Sequence, residues 1–353
     1  MTAKKPVKTG GGYPLKDVLF QINHLISESD YAKGADLLDA NRIAFEANRG
    51  TSVYVEYLIQ DGRLFTKRRR TKEAKAMFEK AESAMRSLGS SEEELSRLRQ
   101  FLMLARADAE RVSGEHDAAV FLLEQALKVR EDKDHITGNV YLEMAKLLSE
   151  WGRAQDSVGA LKSAIEIFKA CGDTFGLARS YSNLSDIYGK LDNWDLALEA
   201  AKSGIAIAKA NGHRRSEGFS SLNCAEALIH KGVIDQAKAF IMEAQKAFIK
   251  SEDRYFVAAL NYMLGMIQNK EGAHKLAAES LEISLDNLEE TDPKYLFALV
   301  HQEFGAALAG LGDAKGAKAQ YEQAIAAWDA VPNVKEAKRV RETLKGLQDS
   351  AGL

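Results

Sequence analysis

The stretch His301–Trp328 reads HQEFGAALAGLGDAKGAKAQYEQAIAAW, and its small residues fall in a fixed order: Gly305, then Gly312, Ala317 and Ala324, with Tyr321 between the last two. The spacing predicts two helices that cross closely at Gly305 and Ala317, a short turn at Gly312, and a large ring at Tyr321 filling the gap to a neighbouring unit. Forty residues earlier the same positions hold Gly265, Gly272, Ala277, Leu281 and Ser284, and forty before that Ala225, Gly232, Ala237, Ile241 and Ala244. Ser180–Gly204, SYSNLSDIYGKLDNWDLALEAAKSG, supplies Ser185, Asp192, Ala197, Ala201 and Gly204.

The series continues toward the N-terminus with Ala145, Gly152, Ser157, Leu161 and Ala164, then Ala107, Gly114, Ala119, Leu123 and Ala126. Two weaker units carry Gly62, Phe65, Ala74, Phe78 and Ala81, and Ile22, Tyr31, Gly34 and Leu38. Loop markers Gly172, Gly212, Asp253, Asp292-Pro293 and Pro332 follow the same lattice. Eight tandem units of about 40 residues therefore span roughly residues 14–330. No single unit of this kind buries its own apolar face, so the expected fold is an all-α solenoid whose core is supplied by neighbours. Residues 331–353 continue with Val334, Ala337, Val340, Leu344 and Leu347 on one stripe, read as an amphipathic helix capping the last unit.

On these residues the chain resembles the tetratricopeptide repeat (TPR) family, most clearly at Gly305, Leu308, Gly312, Ala317, Tyr321 and Ala324. The period exceeds the usual 34 residues. Six more residues amount to about 9 Å of helix, so the units resemble the longer-helix variety of kinesin light chains, LGN-type polarity adaptors and bacterial peptide-sensing regulators. HEAT and armadillo repeats share a similar period but carry a recurrent proline kink or a third helix. The resemblance implies a right-handed α-solenoid of about eight helix pairs and a non-enzymatic protein-interaction scaffold.

Composition agrees with helix. Four prolines, at Pro6, Pro14, Pro293 and Pro332, leave the chain between Pro14 and Pro293 without an obligatory breaker. A net charge of −3 gives no global pull toward nucleic acid or an anionic membrane. Cys171 and Cys224 form neither a disulfide framework nor a metal-ligand spacing, and both are expected as buried free thiols in a reducing cytoplasm. Residues 1–13 lack an apolar signal core and are read as a flexible basic tail, and no apolar run is long enough to span a bilayer.

No catalytic constellation emerges. The seven histidines, at 24, 116, 135, 213, 230, 274 and 301, form no zinc pair, and the Thr9–Gly12 TGGG run is a linker because no strand precedes it. The expectation is no enzyme activity, no metal and no cofactor, with no room outside the array for a DNA-binding helix-turn-helix or a catalytic domain.

In the TPR family the concave surface is built mainly from the first helix of each unit. Counting the signature small residue as position eight, the groove candidates are Leu142, Glu143 and Lys146, then Arg179, Ser182, Asn183 and Asp186, then Phe219, Leu222, Asn223 and Glu226, then Tyr262 and Met266. Asn183 and Asn223 share position six in adjacent units. In peptide-binding relatives an asparagine there grips an extended backbone, since a carboxamide donates and accepts together. The alternative is two solvent-facing asparagines that hold nothing. Glu143, Met263 and Glu303 fill the same position in flanking units, so such a ladder has two rungs, and the Lys/Asn/Arg set of chaperone-tail clamps is missing.

A second candidate surface is the turn TKRRRTKEAK, residues 66–75, with Lys67, Arg68, Arg69, Arg70 and Lys72 as a basic patch for an acidic partner or nucleic acid, or simply a solvated turn before a helix starting near Thr71 and Glu73. Glu279, Glu282, Asp286, Glu289, Glu290 and Asp292 form an opposite patch that would permit weak head-to-tail self-association. Trp151, Trp194 and Trp328 fall on or beside lattice positions and are read as packing between units. The functional expectation is a cytoplasmic adaptor holding a partner peptide or helix. Its alternatives are a peptide-responsive signalling regulator and an RNA- or ribosome-associated factor acting through Lys67–Arg70.

Overall fold

The computed structural model describes residues 14–130, 132–248, 253–288, 294–331 and 334–351. Among these the chain forms eighteen helices and no strand. In chain order they run as pairs: α1 (Leu15–Ser27) and α2 (Tyr31–Ala40), followed by a short α3 (Arg42–Glu46); α4 (Ser52–Lys67) and α5 (Thr71–Arg86); α6 (Glu92–Val112) and α7 (His116–Val129); α8 (His135–Glu150) and α9 (Ala154–Cys171). Then come α10 (Thr174–Lys190) and α11 (Trp194–Asn211), α12 (Arg214–His230) and α13 (Ile234–Phe248), α14 (Arg254–Lys270) and α15 (His274–Asp286), α16 (Lys294–Gly310) and α17 (Ala314–Asp329), and a last helix α18 (Val334–Ala351). The chain divides into two compact units, Met1–Leu147 with Glu166–Cys171, and Leu148–Ile165 with Gly172–Leu353. The N-terminal tail and the TGGG run lie outside the described residues, as do Glu289, Glu290, Asp292, Pro293 and Pro332.

The lattice read from sequence is a lattice of turns. Between the two helices of every pair one residue has positive φ: Ser29 at 62°, Arg69 at 58°, Gly114 at 83°, Gly152 at 75°, Asp192 at 56°, Gly232 at 77°, Gly272 at 75° and Gly312 at 78°. Each left-handed residue lets the next N–H turn back on the helix it has just left, as in Arg70 N–H to Phe65 O at 2.9 Å, Asn193 N–H to Tyr188 O at 2.8 Å and Asp313 N–H to Leu308 O at 3.0 Å. This is the Schellman closure that satisfies carbonyls otherwise left open at a helix end. Asp residues then start several of the following helices: Asp173 accepts from Gly176 N–H at 2.8 Å and Asp313 from Gly316 N–H at 2.9 Å.

Arginine pays a steric cost of about 1–2 kcal/mol in the left-handed region, partly offset by the roughly 0.5–1 kcal/mol of backbone entropy that glycine would lose on folding. Arg69→Gly is therefore expected to raise stability by about 0.5–1 kcal/mol, while Gly232→Ala lowers it by about 1–2 kcal/mol. Urea midpoints at unchanged slope measure both; a lower midpoint for Arg69→Gly would contradict the account.

Within a pair, a small residue on the first helix receives a large one from the second. A Cβ on Gly265 would stand 2.5 Å from Leu281 Cγ, and one on Gly305 2.8 Å from the Tyr321 ring. Gly218 admits the Phe248 ring in the same way, closer still. In the first unit the core runs from Ile22 and Leu38 through Phe45, Ile59 and Phe78 to Leu98, with a further cluster around Leu123 and Val140. In the second, Leu222, Ile241, Tyr262, Leu281 and Val300 form one cluster, and Tyr321, Trp328, Ala337 and Val340 form another under α18. The structure is an all-α solenoid of TPR-like helix pairs closed by a C-terminal helix.

Two expectations about single side chains need correction. Cys224 is buried, and burial pushes its thiol up to about 12, but Cys171 is exposed at the end of α9. Trp328 is buried and Trp194 stacks on His230 at 3.8 Å, whereas Trp151 lies at the surface with the Arg153 guanidinium 6.0 Å from its ring.

Candidate functional site

In the second unit the first helices form a layer of their own, with α10 packed on α12, α12 on α14 and α14 on α16. That layer decides what position six can do. Asn223 Nδ2 donates to Ser182 O at 2.8 Å, with Ser182 Oγ at 3.5 Å, so the donor expected to grip a peptide instead ties α12 to α10. Asn183, one unit earlier, is partly buried and has no hydrogen-bond partner among the described residues. The two asparagines share a sequence position but not a role.

The position-five and some position-nine candidates are not surface groups. Leu142 is fully buried, and Ser182, Leu222, Tyr262 and Met266 are buried as well, because this stripe turns toward the adjoining helices. Leu222, Tyr262 and Met266 belong to the second unit's core. Phe219 is partly buried in an aromatic group, edge-on to Phe248 and Phe256 at 5.3 and 5.9 Å, with the Arg215 guanidinium 4.8 Å from its ring. Arg179 lies partly buried with its guanidinium 5.5 Å from the Phe175 ring.

Asp186 and Glu226 remain partly open to solvent. Lys190 Nζ sits 2.9 Å from Asp186 Oδ2 and 3.1 Å from Ser149 Oγ, and reaches across to α16, 4.8 Å from the Tyr295 ring centroid. Glu226 makes no hydrogen bond among the described residues. Burial above all, and then the Asp186 carboxylate, push its own carboxyl up to about 7, with the Lys190 ammonium opposing them. Burial likewise raises the Tyr295 hydroxyl well above its usual range, reinforced by Glu226, Asp186 and Glu336. Glu303 accepts from Asn269 Nδ2, at 2.9 Å on its carbonyl and 3.0 Å on its carboxylate, while Asn269 Oδ1 is buried without a partner.

Lys190, Tyr295, Asn269 and Glu303 were missed as candidates. Lys190 occupies position thirteen, which the counting scheme includes. Tyr295 begins its helix ahead of the scheme's first position, and only the folded chain brings it to Lys190.

In the first unit, Lys146 is engaged by Glu143 at 2.6 Å. Lys67 points away from the turn it was grouped with and binds the buried carboxylate of Asp108 at 2.6 Å, which Arg111 meets from the other side at 2.7 Å. The basic run is thereby divided. Arg68 donates to Tyr31 O at 3.0 Å, Arg69 to Val112 O at 3.5 Å, and Arg70 pairs with Glu73 at 2.8 Å while covering the Phe65 ring at 4.6 Å. Lys72 is exposed. Arg68, Arg69 and Arg70 are exposed on this turn while also being held to neighbouring groups. An open cleft of about 440 Å³ lined by Lys16, Glu56, Ser91, Glu93, Glu94, Arg97 and Arg130 is also largely self-neutralised, since Arg97 pairs with Glu56 and Arg130 with Asp132 and Asp134.

Among the described residues no group of three or more His, Cys, Asp or Glu side chains is arranged to hold a metal ion, and no helix is long and apolar enough to cross a membrane. No protein-family model and no curated protein matches the chain. Solved structures do. The apo form of RapI is 14% identical, with a TM-score of 0.63 over 78% of this chain and 98% of that one. NprR in complex with its cognate peptide NprX is 15% identical, with a TM-score of 0.57 over 83% and 82%. A tetratricopeptide repeat protein from Parabacteroides merdae is 15% identical, with a TM-score of 0.54 over 83% and 98%. What the chain shares with all three is the fold, and that fold is the tetratricopeptide-type solenoid of paired helices.

Proposed function

We propose that this protein is a non-enzymatic scaffold that holds a peptide segment of a partner against the first-helix layer of its second unit. The observation that carries the reading is the coexistence in that layer of an amide and a carboxylate, Asn183 and Glu226, that the fold leaves unused while the polar groups around them are committed. Both residues are partly open to solvent, so a ligand exchanges their bonds to water for bonds to itself, at a net gain of about 0.5–1.5 kcal/mol for each hydrogen bond and more where the carboxylate is charged. Asn183 can donate to one backbone carbonyl and accept from one N–H. Arg179 lies on the same helix, four residues earlier, and suits an acidic group of the ligand. NprR, one of the solved structures of like fold, is in complex with a cognate peptide, which fits a peptide ligand here. A cytoplasmic setting accords with the free thiols.

The test is selection of the full chain against a random peptide library. Enriched peptides should bind wild-type protein and lose at least tenfold in affinity to Asn183→Ala, with an unchanged circular-dichroism melt. Asn223→Ala should behave differently: it loosens α12 from α10 and lowers stability by about 1 kcal/mol, the typical net worth of one hydrogen bond. Equal binding by wild type and Asn183→Ala would overturn the reading.

A further inference from the structure

The second unit already holds one ammonium group in a defined place. Lys190 Nζ is bound by Asp186 Oδ2 at 2.9 Å and Ser149 Oγ at 3.1 Å, and it lies 4.8 Å from the Tyr295 ring centroid. Carboxylate, hydroxyl and aromatic face are the three kinds of group that recognise an alkylammonium ion. Lys190 is itself partly exposed, so this cation sits at an accessible place. The Asn223–Ser182 bond at 2.8 Å fixes the register of α12 on α10, and Glu226 follows Asn223 by one helical turn as Asp186 follows Ser182, so the two carboxylates lie side by side next to Lys190. A second positive charge would be drawn to Glu226, whose carboxylate has no partner among the described residues.

We propose that the space between α10, α12 and α16 is a subsite for a primary ammonium group of the ligand, a lysine side chain or a free peptide N-terminus, bound by Glu226 and Asp186 beside the Tyr295 ring with Lys190 as its resident competitor. This rests on the peptide-scaffold reading and adds to it the chemistry of one ligand residue. Lys190 spans from the end of α10 to the start of α16. Displacing its ammonium replaces an internal tether by the ligand's own charge, which makes occupancy and the α10–α16 contact mutually dependent.

The groups facing Glu226 from the packed elements set the pH response. They are Asp186 and Lys190 on α10 and the hydroxyls of Tyr262 on α14 and Tyr295 on α16, with Glu336 on α18 acting on both tyrosines. Burial and Asp186 keep the Glu226 carboxyl protonated up to near neutrality. Ammonium binding favours the ionised form and so strengthens as pH rises through about 7.

The experiment needs no natural partner. n-Butylammonium is titrated into wild-type protein and into Lys190→Ala at pH 8, with the Tyr295 ring resonances as readout and n-butanol as the neutral control. Lys190→Ala should give saturable shifts at least tenfold tighter than wild type, weakened several-fold at pH 6 and absent in Lys190→Ala/Glu226→Gln. Lys190→Gln serves as a second vacating variant, and circular dichroism verifies folding of each. No saturable shift in either vacated variant, or equal shifts with n-butanol, would overturn the proposal. Because the probe is a bare ammonium ion, that failure is separate from a failure of peptide selection.

Discussion

Replacing Asp108 by alanine is expected to destabilise the first unit by about 3–5 kcal/mol, the range found when one partner of a buried ion pair is removed. Asp108 is buried in α6, and its two oxygens are divided between Lys67 of α4 at 2.6 Å and Arg111 at 2.7 Å. Both cations are themselves largely covered, with side-chain exposures of 20% and 16%. Without the carboxylate their charges stay in a poorly solvated place with their shared counter-ion gone, which is why the loss exceeds that of a surface pair. Burial alone would raise the Asp108 carboxyl, but Lys67, Arg111 and Lys146 outweigh it and hold the group well below the usual carboxylate range.

The sign of the pH dependence follows. A depressed folded-state value means that the unfolded chain binds the proton more readily, so the stabilisation is complete above the unfolded value of about 3.9 and is lost as pH falls below it. Wild type should therefore lose stability between about pH 4 and 2 more steeply than Asp108→Asn. Guanidinium unfolding at pH 7 and pH 3 reads both effects. Pairing Asp108→Ala with Lys67→Met should recover part of the loss, since the double variant removes the stranded ammonium as well. A cost below about 1 kcal/mol for Asp108→Ala would mean that water replaces the carboxylate and the network is peripheral.

Trp328→Ala is the other large effect, expected at about 3–5 kcal/mol. The indole is fully buried at the end of α17, edge-on to Tyr295 at 5.1 Å, with its N–H toward Gln302 Oε1 at 3.4 Å and Ala298, Ala337 and Val340 in the same cluster. Its removal leaves a void that α18 cannot fill without moving. In a solenoid stability passes between neighbours, so the damage should be uneven. Amide exchange is expected to accelerate strongly in α16, α17 and α18 and little in α4 to α7. Uniform acceleration along the chain would instead show that the array unfolds as one cooperative block.

The repeat was legible because its cause is local. A left-handed residue between two helices favours glycine, and a tight crossing needs a side chain small enough to admit a ring; both demands mark the sequence at fixed intervals. Gly265 beside Leu281 and Gly305 beside Tyr321 are instances, and even the departures Ser29, Arg69 and Asp192 keep the interval. The site was less legible, because its chemistry depends on which neighbour a side chain meets. Asn183 and Asn223 look equivalent in sequence, yet only Asn223 finds a carbonyl in range on the preceding first helix. Lys67 reads as one of four basic turn residues, but it ends its helix facing α6 and is drawn to Asp108.

Sequence alone determined the helix pairs, their period, the turns between them and the small-to-large fit at Gly265 with Leu281 and Gly305 with Tyr321, because these are set by residues a few positions to about twenty apart. Tertiary structure decided which polar groups remain available. It committed Asn223 and Lys67 to internal partners, buried Leu142 and Leu222, brought Lys190 to Tyr295, and left Asn183 and Glu226 without a hydrogen-bond partner among the described residues. The physical reason is that a backbone conformation is chosen by the residue that adopts it, whereas a hydrogen bond or ion pair is chosen by whatever the rest of the chain places within 3 Å of it.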